Sequence, residues 1–168
     1  MDEAKYKMME GVRYLGQQIS VGGNADGMAY TSYNFDGWYI QLPQKWKMTV
    51  DKESGQVIFD DGEAVNIYIS TFNFTRPETG EKASAETVSS IVLQAFNLQE
   101  AEECKHFSKY HPKSFLTHIC KSITTDGYTM IACVICTKGH SFSFYVVGDE
   151  DINFEKYIQH INSIERDL

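Results

Sequence analysis

Residues 128–137, YTMIACVICT, carry apolar side chains on both faces that a strand presents: Met130, Ala132, Val134 and Cys136 on one, Ile131, Cys133 and Ile135 on the other. Successive strand residues project to opposite sides of a sheet, so this run has no face that it can leave in water. It requires a sheet covered on both sides. Its neighbours extend that sheet. FLTHICKSITT at 115–125 precedes it across an Asp126-Gly127 turn, and HSFSFYVV at 140–147 follows it across Lys138-Gly139. The three together read as an antiparallel meander joined by two tight hairpins.

A second block, 38–74, lays down strands in the same way. Trp38, Ile40 and Leu42 alternate with Tyr39 and Gln41, Pro43 interrupts, and Trp46, Met48 and Val50 resume the period of two. Residues 56–60 follow the Glu53-Ser54-Gly55 turn, and 65–74 follow a second acidic turn. The last of these runs is again apolar on both sides, with Val65, Ile67 and Ile69 opposed to Tyr68, Phe72 and Phe74. A short strand at 30–35 leads into Trp38 through Asp36-Gly37, a pair that accepts the positive φ angles of a tight turn. The expectation is a single sheet of about seven strands covered by helices on both faces.

Three segments carry helical spacing. Ala4, Met8, Val12, Leu15 and Ile19 draw one apolar stripe and predict a helix over 3–19, against which Gly11 and Gly16 each weigh by about 1 kcal/mol. The VGGNADG run at 21–27 ends it. That loop is rich in glycine but lacks the Lys-Ser/Thr that a phosphate-cradling loop places next. Ser84 stands as an N-cap before Val88, Ile91, Val92, Ala95 and Leu98, and Asn97 with Glu100 resembles a capping box that restarts a short second helix ending near 107. Phe154, Tyr157, Ile158, Ile161 and Ile164 form the third stripe, with acidic residues at its start and Arg166 at its end, as the helix dipole favours.

These elements make one domain over 1–168, an α+β three-layer α/β/α sandwich with a central, mainly antiparallel sheet. Residues 1–27 are its N-terminal helix and Gly-rich loop, and 28–168 the sandwich. At 168 residues such a chain buries about two thirds of the surface of its unfolded form, and ten Phe, ten Tyr and two Trp supply the core. The order of elements, together with the Leu42-Pro43-x-x-Trp46 passage that ends one strand before a hairpin, resembles the Mog1/PsbP-like fold over roughly residues 33–164. DcrB-like and other bacterial families share this pattern, and the helix over 3–19 is additional to it. The resemblance implies the same sandwich and, because better-known members bind proteins, a protein partner. It transfers no binding residue to a matching position. In this sequence Leu42, Pro43 and Trp46 read as structural: the proline stops a strand and the tryptophan fills the core.

For chemistry, the densest cluster is Cys104, His106, His111, His118 and Cys120, five candidate metal ligands within seventeen positions. His118 and Cys120 are two apart on a strand and share a face, but Cys104, His106 and His111 fall at the end of the expected helix without a zinc-knuckle spacing. Buried thiols and no metal are the expectation. Cys133 and Cys136 spell C-x-x-C inside a strand, where residues three apart face opposite ways, which excludes a dithiol or a metal clip. No nucleophile motif is present. Asp60, Asp61 and Glu63, with Asp149, Glu150 and Asp151, could serve as paired acid and base if their loops met, but acidic turns are commonly solvated, and a surface patch for a basic partner is the better expectation.

The net charge of −8 weighs against non-specific nucleic-acid binding and anionic membranes. No apolar run approaches the roughly 18 residues of a membrane span. As written the sequence reads as cytoplasmic, with the cell envelope as the alternative if a signal precedes Met1. It points to a non-enzymatic protein-interaction module, adaptor or immunity-like, that needs no cofactor and engages a basic protein surface. The alternative is a small-ligand-binding protein or enzyme with an aromatic cleft built from Tyr30, Tyr33, Trp38 and Tyr39.

Overall fold

The doubly apolar run lies inside the larger of two sheets, flanked by a strand on each side. The computed structural model describes residues 6–10, 18–21, 29–51, 53, 56–63, 65–96, 103–106, 116–123, 127–149, 152 and 155–166. In chain order its elements are β1 (Lys7–Glu10), β2 (Gln18–Val21), β3 (Tyr30–Phe35), β4 (Trp38–Pro43), β5 (Lys47–Val50), β6 (Val57–Asp60), β7 (Val65–Thr75), α1 (Ala85–Ala95), β8 (Glu103–His106), β9 (Leu116–Ile123), β10 (Thr129–Thr137), β11 (His140–Gly148), α2 (Glu155–Asn162) and β12 (Glu165–Arg166).

The large sheet runs β5-β6-β7-β11-β10-β9-β8, with β1 also paired to β7, and the small one runs β12-β4-β3-β2. The strand pairs are antiparallel throughout. On one face of the large sheet α1 packs against β9, β10 and β11. Val88, Val92 and Leu93 of the helix meet Ala132, Val134 and Cys136 of β10 there, with Phe74 and Cys120. On the other face lie the small sheet and α2, whose Phe35, Trp38, Ile40, Leu42, Tyr157 and Ile161 meet Phe59, Ile67, Cys133, Ile135, Phe142 and Phe144. This is the three-layer sandwich, with a helix as one outer layer and a small sheet plus a helix as the other. Each large side chain so buried contributes roughly 1.5–3 kcal/mol to stability.

Several local expectations are overturned. The helix expected over 3–19 gives way to strands where it is described: β1 pairs Lys7 with Thr75 through Glu10 with Phe72, and β2 pairs Gln18 with Tyr33 through Val21 with Tyr30. The cause lies in β7. It is eleven residues long, β6 covers only Asn66 to Ile69 of one edge, and β1 takes up the backbone groups that remain further along it. Residues 103–106, expected at the end of a second short helix, form β8 on the open edge of β9; the Asn97 and Glu100 capping box lies outside the described residues. α2 ends at Asn162 rather than at Arg166, and Glu165 and Arg166 pair with Tyr39 and Trp38 of β4. Finally, the run 38–50 does not stay in one sheet. Between Pro43 and Lys47 the chain crosses from the small sheet to the large one, through a turn closed by the Trp46 amide donating to the Pro43 carbonyl at 3.1 Å.

Other local signals hold. Ser84 caps α1, its Oγ accepting from the Thr87 amide, and Asp36 and Gly37 turn the β3–β4 hairpin with φ of 51° and 85°.

Candidate functional site

The Pro43–Trp46 crossover brings Trp46 beneath α2. Its indole is 7 % exposed and lies edge-on to the His160 ring, with centroids 5.0 Å apart, and beside Tyr157 at 6.1 Å. Tyr157 and His160 are three apart on α2 and so share one helical face. Tyr30, on the adjoining strand β3, is 6.0 Å from His160 between ring centroids. The C-terminal end of the helix is held in place by Ser163, whose Oγ donates to the His160 carbonyl at 2.5 Å and accepts from the Gln41 amide at 3.0 Å.

The β6–β7 turn closes the other side. Asp61 is 6 % exposed, and its carboxylate accepts from the amides of Glu63 and Val65 at 2.8 and 3.4 Å and from the Tyr157 hydroxyl at 3.0 Å. Asp60 accepts from the Gly62 amide at 2.8 Å, with Gly62 at a φ of 82°. The result is a cleft of about 150 Å³ lined by Tyr30, Pro43, Lys45, Trp46, Asp61, Glu63, Tyr157, Gln159 and His160. Burial, then the hydrogen bond to Asp61 and the charges of Asp61 and Glu63, hold the Tyr157 hydroxyl well above the ordinary phenol range, so it remains a proton donor. With its carboxylate bound to three donors, Asp61 sets the shape of the turn. Chemically, aromatic faces beside carboxylates suit a cationic group.

Register decides how the two acidic stretches relate. Val65 at the start of β7 is paired with Gly148 at the end of β11. The turn holding Asp60 and Glu63 and the segment beginning at Asp149 therefore lie at the same end of neighbouring strands, and all three of these side chains are exposed. Asp61, expected among the surface acids, is buried instead, because it caps the turn and receives Tyr157. Glu150 and Asp151 lie outside the described residues.

Of the aromatics expected to build a cleft, Tyr30 alone lines this one. Tyr33 and Trp38 belong to the core between the sheets, and Tyr39 is partly buried on β4. Trp46, Tyr157 and His160 were not among the candidates; the three-residue spacing of Tyr157 and His160 on a helix was the one signal for part of the site. Leu42 and Trp46 are core residues, as their spacing implied. Cys133 and Cys136 fall in the two cores on opposite faces of the sheet, and burial raises both thiols, Cys136 to about 12. His111 lies outside the described residues, and His118 is buried with its Nε2 hydrogen-bonded to Ser89 Oγ of α1. Among the described residues no group of three or more His, Cys, Asp or Glu is arranged to hold a metal, and no helix is long and apolar enough to cross a membrane.

No family model and no curated protein matches the chain. Solved structures do. A cyanobacterial PsbP from Synechocystis sp. PCC 6803 superposes with a TM-score of 0.51 over 91 % of this chain and 94 % of its own, at 12 % identity. The fold is Mog1/PsbP-like. A protein from Bacteroides thetaiotaomicron is similar at a TM-score of 0.59 and 16 % identity over 79 % of this chain, which spans 46 % of that protein's length. At these identities the likeness is one of fold, and the acidic end of this PsbP-like sandwich has to be understood from its own residues.

Proposed function

We propose that the chain is a non-enzymatic protein-interaction module that binds a basic surface through the end of the sandwich carrying Asp60, Glu63 and Asp149, in an adaptor or immunity-like role of bacterial type. The observation that carries this is the pairing of Val65 with Gly148, which gathers exposed acids from two separate segments beside a cleft with aromatic walls. A net charge of −8 adds long-range attraction for a basic partner. The residues of the cleft also fit a passive role. Tyr157 is held protonated, Asp61 is bound to three donors, and the cleft is too small for most ligand sites, which run from about 300 Å³ upward.

The test is capture from native lysate by three forms of the chain: the parent, the triple reversal Asp60→Lys, Glu63→Lys, Asp149→Lys, and a control reversal of three exposed acids elsewhere, Glu53→Lys, Glu86→Lys, Glu165→Lys. A stoichiometric protein retained by parent and control, released by salt and lost from the first reversal is the expected result. Equal retention by both triple variants, or a stoichiometric small molecule in the cleft of the parent, overturns it.

A further inference from the structure

The cleft beneath α2 and the exposed acids of the β6–β7 turn share a residue. Glu63 is exposed on the surface that carries Asp60 and Asp149, and it also lines the cleft, together with the buried Asp61. The cleft therefore has one carboxylate open to solvent and a second one buried. The Glu63 and Val65 amides and the Tyr157 hydroxyl fix the Asp61 carboxylate in place, and none of these three donors carries a charge that would cancel its own. The charges of both carboxylates reach the Tyr157 hydroxyl and help to keep its proton on. The walls beside them are aromatic, with Trp46 and Tyr157 6.1 Å apart between ring centroids and their planes inclined by 57°. A space of about 150 Å³ holds the end of one long side chain, whereas a drug-sized ligand takes about 300 Å³ or more.

We propose that this cleft seats a single arginine side chain of the protein partner, the anchor about which the basic surface docks. The inference rests on the reading of the acidic end as a protein-binding surface. A guanidinium is planar, weakly hydrated for a cation, stacks on aromatic rings and donates hydrogen bonds in a fork that matches a carboxylate. The ammonium of a lysine is a compact and strongly hydrated charge, and costs more to bring against Trp46 and Tyr157. Charge sorts the remaining occupants. The lining sets the carboxylates of Asp61 and Glu63 against the one ammonium of Lys45, which is exposed. An anion meets net repulsion there, and an uncharged side chain gains nothing from the carboxylates. Arginine in a desolvated pocket is among the side chains that concentrate binding energy at interfaces. Asp60 and Asp149 then act around it as a rim that steers the partner and fixes its orientation.

Titration of the isotope-labelled full chain with N-acetylarginine amide, followed by heteronuclear NMR, tests the anchor. The indole N–H resonance of Trp46 should shift saturably while that of Trp38, fully buried in the core, stays in place. The citrulline amide, equal in shape but uncharged, should bind at least about tenfold more weakly, the size of one charge-assisted hydrogen bond. Asp61→Asn should weaken arginine binding by at least about tenfold for the same reason. Glu63→Gln should weaken it and Lys45→Gln strengthen it, each about two- to fivefold, as exposed charges do; this opposed pair supplies the answer if Asp61→Asn does not fold by circular dichroism. No saturable Trp46 shift, equal binding of arginine and citrulline amides, tighter binding of the lysine amide, or unchanged affinity in a folded Asp61→Asn protein overturns the proposal, as do changes of the same sign at Glu63 and Lys45. A partner captured through the acidic end while no arginine amide binds refutes the anchor and leaves the interaction module standing. Arginine binding by a chain that captures no partner supports the anchor and refutes the wider reading.

Discussion

The hydroxyl of Tyr157 donates to the carboxylate of Asp61 at 3.0 Å, across 96 positions of sequence, and joins α2 to the β6–β7 turn. Both residues are buried, and the acceptor carboxylate also accepts from the amides of Glu63 and Val65 and so helps to shape the acidic turn. Tyr157→Phe keeps the ring in the core and removes the donor. A hydrogen bond to a charged group is worth about 1.5 to 3 kcal/mol, so urea unfolding of this variant should show a loss in that range. In a double-mutant cycle Asp61→Asn should abolish most of the effect; additive losses would mean that the two side chains are not energetically coupled.

Trp46 lies at the crossover between the sheets, 7 % exposed and in contact with Phe59, Tyr157 and His160. Trp46→Ala should cost about 3 to 5 kcal/mol, from lost transfer energy and the cavity left behind. That is a large share of the roughly 5 to 15 kcal/mol by which domains are stable. A loss below about 1 kcal/mol, typical of surface positions, would place the indole outside the core. Thermal and denaturant unfolding beside the parent chain decide between these outcomes.

How far these relationships were legible varies with their origin. Strand β10 announced its two cores because a period of two places Ile131, Cys133 and Ile135 opposite to Ala132, Val134 and Cys136 whatever its partners are. The N-cap at Ser84 and the turn at Asp36-Gly37 were equally visible, being set by the residues themselves. The division into two sheets was not, because Trp38–Leu42 and Met48–Val50 keep the same period on either side of the crossover. β1, β2 and β8 are four residues each and take their structure from the edges that they pair with, so local spacing misassigned β1, β2 and β8. The same dependence on register hid the placing of Asp60, Glu63 and Asp149 at one end of neighbouring strands.

Cys133 and Cys136 are fully buried, one on each side of β10, and burial makes the thiolate of each unfavourable. Since the thiolate is the reactive form, neither should be alkylated in the native protein at neutral pH. Peptide mass mapping after brief iodoacetamide exposure, with and without denaturant, should find both labelled only in the unfolded chain. Rapid native labelling at either position would require an opening of the core that the packing on both faces opposes.

His140 gives the fold a pH dependence of predictable sign. Its Nδ1 donates to Asn73 Oδ1 at 2.5 Å, and Asn73 Nδ2 donates in turn to Asp36 at 2.9 Å, linking β11 and β7 to the β3–β4 turn. Burial, followed by the positive charges of Arg166 and Lys82, lowers its pKa to about 4, with Asp36 opposing the shift only in part. In the unfolded chain the imidazole titrates near 6.5. Between these values the unfolded state binds a proton that the native state does not, so the contribution of this group to stability is complete above about pH 6.5 and is lost as the pH falls towards 4. Carboxylates titrate at the lower end of the same window, so the parent must be compared with His140→Gln, which cannot protonate. Urea midpoints at pH 7 and pH 5 should fall further for the parent than for the variant. Equal falls, or a parent that gains stability on acidification relative to the variant, would show that His140 is not held neutral by its surroundings.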